Sequence, residues 1–289
     1  MIISRKLKGC FLFPFWDIHF FIVSLPLTKP NTFTTMKITT ASELLEKLTA
    51  LSDGEQKRNL MRFFKTGKGD YGEGDEFLGL KVPQTRSFVK DCVDMDFGEL
   101  QLLINSEYHE ARLAAVLILV EKYKKLQSAK LKNNLSSMAG RDSIIDFYVR
   151  NYRQVNNWDL VDMSAPKLLG NWIVERTIMD QCDKEDVIEG LANSGNLWGE
   201  RMSVVFTWMT VRYNLPEYSL RYCLKHLKHK HDLMHKAVGW MLREMGSRVD
   251  MDLLRDFLDE HCGDMPRTTL RYAIEKMDEK ERKEWLERK

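Results

Sequence analysis

Several things are scarce in this sequence, and each scarcity excludes a class of protein. The five cysteines, Cys10, Cys92, Cys182, Cys223 and Cys262, are scattered, form no CxxC pair and are odd in number. That argues against a disulfide framework and against a cysteine zinc site, so a reducing cytoplasm is the simplest setting. Histidine offers no better metal site. His226, His229, His231 and His235 cluster among lysines, and His231 and His235 have the i,i+4 spacing of a helical pair, but there is no HExxH and no third ligand. The cluster reads as a basic, partly protonated surface, and neither a metal nor a cofactor is expected. The glycine-rich stretch of residues 65–81 lacks the GK[ST] of a phosphate loop and is flanked by helical sequence, which excludes a nucleotide-binding loop. A formal net charge of only +2 over 289 residues excludes a basic polyelectrolyte.

A long, clean apolar run is also missing. Residues 10–27 are largely apolar after a basic start, but Pro14, Asp17, His19 and Pro26 interrupt them, and no small-x-small cleavage site follows clearly. Met36 opens a second start, MKITTASELLEKL, with Ser42 placed to cap a helix beginning at Glu43. Residues 1–35 therefore read as an upstream extension or a misplaced start, with a signal or membrane anchor as the alternative. Residues 36–289 read as one helical-repeat domain, with no membrane association expected.

What the chain does have is helical periodicity. Apolar residues recur as in Leu44, Leu45, Leu48 and Leu51, then Leu60, Phe63 and Phe64, and few segments alternate in the manner of strands. The fold class is all-α. The main interruption is the glycine-rich stretch, where Gly67, Gly69, Gly72, Gly74 and Gly79 prevent a regular helix before Pro83 starts the next one. Further breaks are expected near Asn105, Gly140, Gly170, Gly195, Pro216, Gly246 and Gly263. Within this pattern Trp158, Trp198 and Trp240 fall at intervals of 40 and 42 residues, each three or four residues before Asp162, Arg201 and Arg243. Such a period suits stacked helix pairs, and the i,i+3 and i,i+4 spacings place each indole and its charge on one helix face. A second echo, His109-Glu-Ala-Arg112 against Trp198-Gly-Glu-Arg201, marks both segments as inner helices of repeats, whose edges would form one concave surface.

Charge is unevenly placed: residues 201–248 hold nine Lys or Arg against three acids, which points to a face for a polyanion. Arg243 and Lys236 from that region, and Lys65 and Lys68 from the glycine-rich stretch, are candidate contacts to a DNA backbone. Tyr71 lies in the same stretch.

Four motifs occur in order: Phe77-Leu-Gly-Leu-Lys-Val-Pro83, Asn156-Asn-Trp-Asp-Leu-Val-Asp162, Leu197-Trp-Gly-Glu-Arg201 and Ala237-Val-Gly-Trp-Met-Leu-Arg-Glu244. From about Ala41 into the C-terminal helices the chain resembles the AlkD-like DNA glycosylases of the HEAT-repeat DNA alkylation repair family. The resemblance implies a HEAT-like helical-repeat solenoid with a concave DNA-binding face. It also implies a monomer that excises N3- or N7-alkylated purines from double-stranded DNA in the cytoplasm, nucleoid-associated while bound. Carried over by motif, Asp162 looks like the catalytic carboxylate, Trp158 and Trp240 like aromatic walls against the lesion nucleotide, and Arg201 like the phosphate-side cation. The chemistry agrees. An alkylated purine is cationic and leaves readily, and a fixed carboxylate can stabilise the oxocarbenium-like sugar and orient water, while indole faces attract the cation. No lysine is placed for a Schiff base, so the reaction would be monofunctional. Trp198 and Trp172 are expected in the core, and Asp159 in the first turn of its helix. The competing reading is a HEAT-like module that binds damaged or branched DNA, or a protein, without catalysis. The glycine-rich insertion and Asn157 depart from the family pattern and bear on lesion access.

Overall fold

Leu44 and Leu48 lie one turn apart and are both fully buried, and the same i,i+4 pattern seats one helix after another along the chain. The computed structural model describes residues 37–128, 130–179 and 185–288; residues 1–35, read above as an extension, lie outside that range. The elements are α1 (Ala41–Thr49), α2 (Gly54–Phe63), α3 (Val82–Val89), α4 (Phe97–Ile104), α5 (His109–Leu126), α6 (Leu135–Arg150) and α7 (Trp158–Ser164). A π-helical turn, Pro166–Gly170, leads into α8 (Asn171–Ile178), α9 (Glu185–Ala192), α10 (Leu197–Val205), α11 (Thr207–Arg212) and α12 (Glu217–Lys225). Then come α13 (Asp232–Arg248), α14 (Met251–His261), a 3₁₀ turn at Cys262–Asp264, α15 (Arg267–Ala273) and α16 (Glu279–Glu287). Among the described residues there is no strand, only an isolated bridge between Glu76 and Tyr108.

The helix boundaries follow local chemistry. Thr40, rather than Ser42, caps α1, its Oγ1 accepting the amide of Glu43 at 3.3 Å. Asn105, Gly195, Pro216 and Gly263 fall at or between helix ends as expected. Gly140 and Gly246 do not break their helices. Gly246 is there for packing: a Cβ would lie 2.7 Å from Leu254 Cδ2, so the missing side chain lets α14 fold back closely on α13.

The core is one continuous cluster from Ile38 to Trp285. Helix α5 is buried on almost every side from Ala111 to Val120 because α3, α4, α6 and α7 all pack on it. Helix α7 in turn packs on α10, and α10 on α13, which is also covered by α11, α12, α14 and α15. This succession is that of a helical-repeat solenoid. No helix among the described residues is long and apolar enough to cross a membrane.

Buried arginines fasten neighbouring segments. Arg112 reaches Asp75 at 2.7 Å, Arg141 reaches Glu175 at 3.0 Å, Arg201 reaches Asp162 at 2.8 Å, and Arg243 pairs with Glu275. Arg112 and Arg201, which echo each other in sequence, therefore do the same work in two repeats. Pairing also removes most of the basic surplus of residues 201–248. Acids from outside the segment meet Arg201 (Asp162), Arg243 (Glu275), Arg221 and Lys225 (Glu185 and Glu189) and Lys228 (Asp264), while Lys236–Asp232 and Arg248–Glu244 pair within it. The apparent polyanion face is thus largely neutralised by acids from elsewhere in the chain.

Candidate active site

Helix α7 positions the central residues. Asn157 adopts an extended backbone and caps the helix, its Oδ1 accepting the amide of Trp158 at 2.9 Å. Trp158 is thereby set at the first helical position, and Asp162 follows one turn later on the same face. Asp162 meets the guanidinium of Arg201 from α10 in a bidentate pair, Nε to Oδ1 at 2.9 Å and Nη2 to Oδ2 at 2.8 Å. Arg201 Nη1 also donates to the carbonyl of Leu233 at 2.5 Å, tying α7 and α10 to the start of α13. Trp240 stands two turns further along α13.

The geometry refines several expectations. Arg201, expected as a phosphate-side cation, is 1% exposed and grips Asp162. Arg243 is likewise buried and pairs with Glu275 and Glu244, so its charge serves the packing of α13 against the segment after α15. Lys236 is paired with Asp232 at 2.6 Å. Lys65 and Lys68 are exposed on the glycine-rich segment, Lys65 Nζ lying 6.0 Å from the Tyr71 ring centroid. Asp162 is itself only 7% exposed, and Trp158 and Trp240 are buried nearly as deeply as Trp198, with Trp172 deeper still. Trp172 fills its expected core role, its indole N–H donating to Asp142 at 2.7 Å.

Aromatic rings cover Trp158. Phe64 stacks on it with centroids 5.3 Å apart, and the half-exposed Phe63 meets its edge at 5.9 Å. Tyr71, from the glycine-rich segment, lies beside the indole of Trp158 and packs edge-on against Trp198 at 6.2 Å and His231 at 6.3 Å. Partial burial pushes the Tyr71 phenol up. Gly72 makes this placement possible. A Cβ there would sit 2.5 Å from the Phe64 carbonyl, and the backbone closes through Gly72 N to Lys65 O at 3.1 Å. The segment is thus a built cap over Trp158.

The histidines before α13 serve as joints. His229 Nε2 lies 2.9 Å from Glu200, and His231 Nδ1 accepts the amide of Leu233 at 3.1 Å, capping α13. His226 is buried against Ser203, and burial, with His229 and Lys225 nearby, lowers its pKa to about 4. Among the described residues no group of three histidine, cysteine or carboxylate side chains is gathered for a metal.

A family model described as DNA alkylation repair enzyme matches residues 44–277. The chain belongs to the DNA alkylation repair enzyme family. A solved structure described as a predicted DNA alkylation repair enzyme from Enterococcus faecalis is similar in fold, with a TM-score of 0.58 at 14% identity. That similarity covers 79% of this chain and 97% of the other. No curated protein matches the chain. The family match spans Tyr71, Trp158, Asp162, Arg201 and Trp240 and begins after the N-terminal 43 residues.

Within this member of the DNA alkylation repair family, sequence reasoning missed a buried ionic group behind Trp158. His109 Nε2 lies 2.9 Å from Asp159 Oδ2, and its Nδ1 lies 3.6 Å from Asp75 Oδ2, a charge contact longer than a hydrogen bond. Asp159, expected simply in the first turn of α7, accepts the amide of Leu160 there and pairs with His109 as well. The signal was present in the repeat echo, where His109 occupies the place of Trp198: an ionisable ring at an aromatic core position calls for charged partners.

Proposed function

We propose that the protein is a monofunctional DNA glycosylase that hydrolyses the N-glycosidic bond of N3- or N7-alkylated purines in duplex DNA. Family membership supports alkylation repair. The observation that carries the specific reading is the bidentate Asp162–Arg201 pair standing one helical turn from Trp158. In this mechanism the alkylated base is already cationic, so it departs without protonation and the deoxyribose gains oxocarbenium character. Asp162 supplies a preorganised negative charge to that sugar and orients the incoming water, which loses its proton as the sugar–oxygen bond forms. Arg201 holds both carboxylate oxygens in register, and the indoles of Trp158 and Trp240 attract the cationic nucleotide, each by roughly 0.5–2 kcal/mol. The enzyme acts as a monomer in the cytoplasm, with residues 36–289 as its one domain, and takes no metal or cofactor.

The test is mass-spectrometric detection of free bases released from methylated duplex DNA. Wild type releases a methylated purine, and Asp162→Asn does not while keeping most of its DNA binding. Undiminished release by Asp162→Asn removes Asp162 from the chemistry. A second reading has its own observation in favour. Arg112–Asp75 and Arg243–Glu275 are pairs of the same kind as Arg201–Asp162, so the last could be one more fastener in a DNA-binding scaffold without catalysis. Binding without release by wild type would select that reading.

A further inference from the structure

Three elements meet at the ring of His109, the first residue of α5. Asp159 of α7 takes Nε2, and Asp75 of the glycine-rich segment faces Nδ1. Asp75 also accepts from Asn156 Nδ2 at 3.0 Å, from Asn157 Nδ2 at 3.3 Å and from Arg112 at 2.7 Å. Glu110, next to His109, takes the amides of Leu78, Gly79 and Leu80 at 2.9–3.0 Å. The His109 ring stacks on Phe77 at 4.5 Å and lies 5.0 Å from Phe64, which itself stacks on Trp158. His109, Arg112, Asp75 and Asp159 are all buried.

We propose that His109 is a positioning residue for base excision: its ring, clamped between Asp159 and Asp75, fixes the first turn of α7 and with it the pose of Trp158 and Asp162. This rests on the glycosylase reading above. The charge count supports it. The two carboxylates that face the ring, Asp75 and Asp159, are opposed by one guanidinium, Arg112, so a protonated His109 completes their pairing, while the buried Glu110 beside them is held by three backbone amides. Burial alone would disfavour the charged ring, but Asp159 and Asp75 outweigh it and raise the pKa to about 9. Loss of that proton leaves a net negative charge behind the Asn157 cap and loosens both routes to Trp158, through Asp159 and through Phe64.

The experiment has two arms. In the first, single-turnover release of a methylated purine is followed from about pH 6 to pH 10, spanning the free and shifted histidine ranges. Wild type loses rate as the ring deprotonates, Asp159→Asn shifts that inflection to lower pH, and His109→Gln abolishes it. The His109→Gln rate falls about 10- to 100-fold with KM for DNA nearly unchanged, as expected when a reacting group is misplaced by a fraction of an ångström. In the second arm, ¹⁹F NMR of 5-fluorotryptophan-labelled protein reports the environment of Trp158 without turnover. Its resonance titrates with the same inflection in wild type, and the inflection moves in Asp159→Asn whether or not His109→Gln folds. An inflection that stays put in Asp159→Asn, or a Trp158 resonance blind to pH, overturns the proposal. Normal NMR behaviour with no base released by wild type overturns the glycosylase reading instead, and leaves His109 as the residue that sets the pose of α7.

Discussion

Arg201 holds Asp162 by two nearly equal hydrogen bonds, 2.9 Å and 2.8 Å, so both carboxylate oxygens are fixed before any substrate arrives. Because the same guanidinium also donates to the Leu233 carbonyl, one side chain sets the spacing of three helices. Any change at Arg201 therefore acts on stability and on the site together.

Arg201→Ala leaves a buried carboxylate without its counter-charge, and urea unfolding is expected to show a loss of about 3–5 kcal/mol. Arg201→Lys keeps the charge but cannot form the fork. It should lose less stability, about 1–3 kcal/mol, while base release falls more than tenfold because Asp162 is no longer held at both oxygens. Equal excision by Arg201→Lys and wild type would show that the fork has no part in the chemistry.

Two histidines give stability opposite pH dependences. His109 has its pKa raised from 6.5 to about 9, so its contribution is complete below about pH 6.5 and is lost as pH rises towards 9. His226 has its pKa lowered from 6.5 to about 4, so the unfolded chain binds more protons and stability is lost as pH falls from 6.5 towards 4. Each limb has a slope of at most about 1.4 kcal/mol per pH unit. Chemical denaturation across pH should thus peak near neutrality, with His109→Gln flattening the alkaline limb and His226→Gln the acidic one. Unchanged limbs in both variants would reject these assignments.

Salt dependence separates exposed cations from buried ones. Lys65 and Lys68 are exposed, while Arg243 is buried in ion pairs. Lys65→Ala and Lys68→Ala should each lower the slope of log K against log salt by about 0.9 on duplex DNA. Arg243→Ala should leave the slope alone and lower the melting temperature instead. A slope change confined to Arg243→Ala would reverse this assignment of the backbone contacts.

Tyr71 caps Trp158 and Trp198, so Tyr71→Ala should open both indoles to solvent. Acrylamide quenching of tryptophan fluorescence is expected to rise, and excision of bulkier adducts should gain relative to methylated purines. Tyr71→Phe keeps the ring and should keep the wild-type preference. An unchanged adduct preference in Tyr71→Ala would separate the cap from substrate choice.

Much of the fold was legible because helical periodicity is local. The heptad-like spacing of Leu44, Leu48 and their successors needs no knowledge of distant residues, and Asn105 and Pro216 mark helix ends by their own backbone preferences. Gly140 and Gly246 misled for the converse reason: a glycine chosen for close approach to a neighbouring helix looks in sequence like one chosen to end a helix. The candidate site was half legible. Trp158 and Asp162 share a helix, so their spacing alone put them on one face, and the repeat echo flagged Arg112 and Arg201. Their partners come from 37 and 39 residues away, at Asp75 and Asp162. Arg201 was therefore read as a phosphate-side cation with no sight of its carboxylate partner, and the basic surplus around it as a polyanion face. A count of charges along a segment cannot see acids that arrive from other helices.

The recurring arginine–carboxylate fastener has an evolutionary corollary. A scaffold that holds an acid against an arginine at several of its helix junctions carries a reserve of rigidly oriented anions, and on the glycosylase reading one of them, Asp162, would have become a reaction centre beside an aromatic ring. Innovation in such a protein would then begin at its joints, and a mutation that silences the chemistry would often be felt first as a loosened joint.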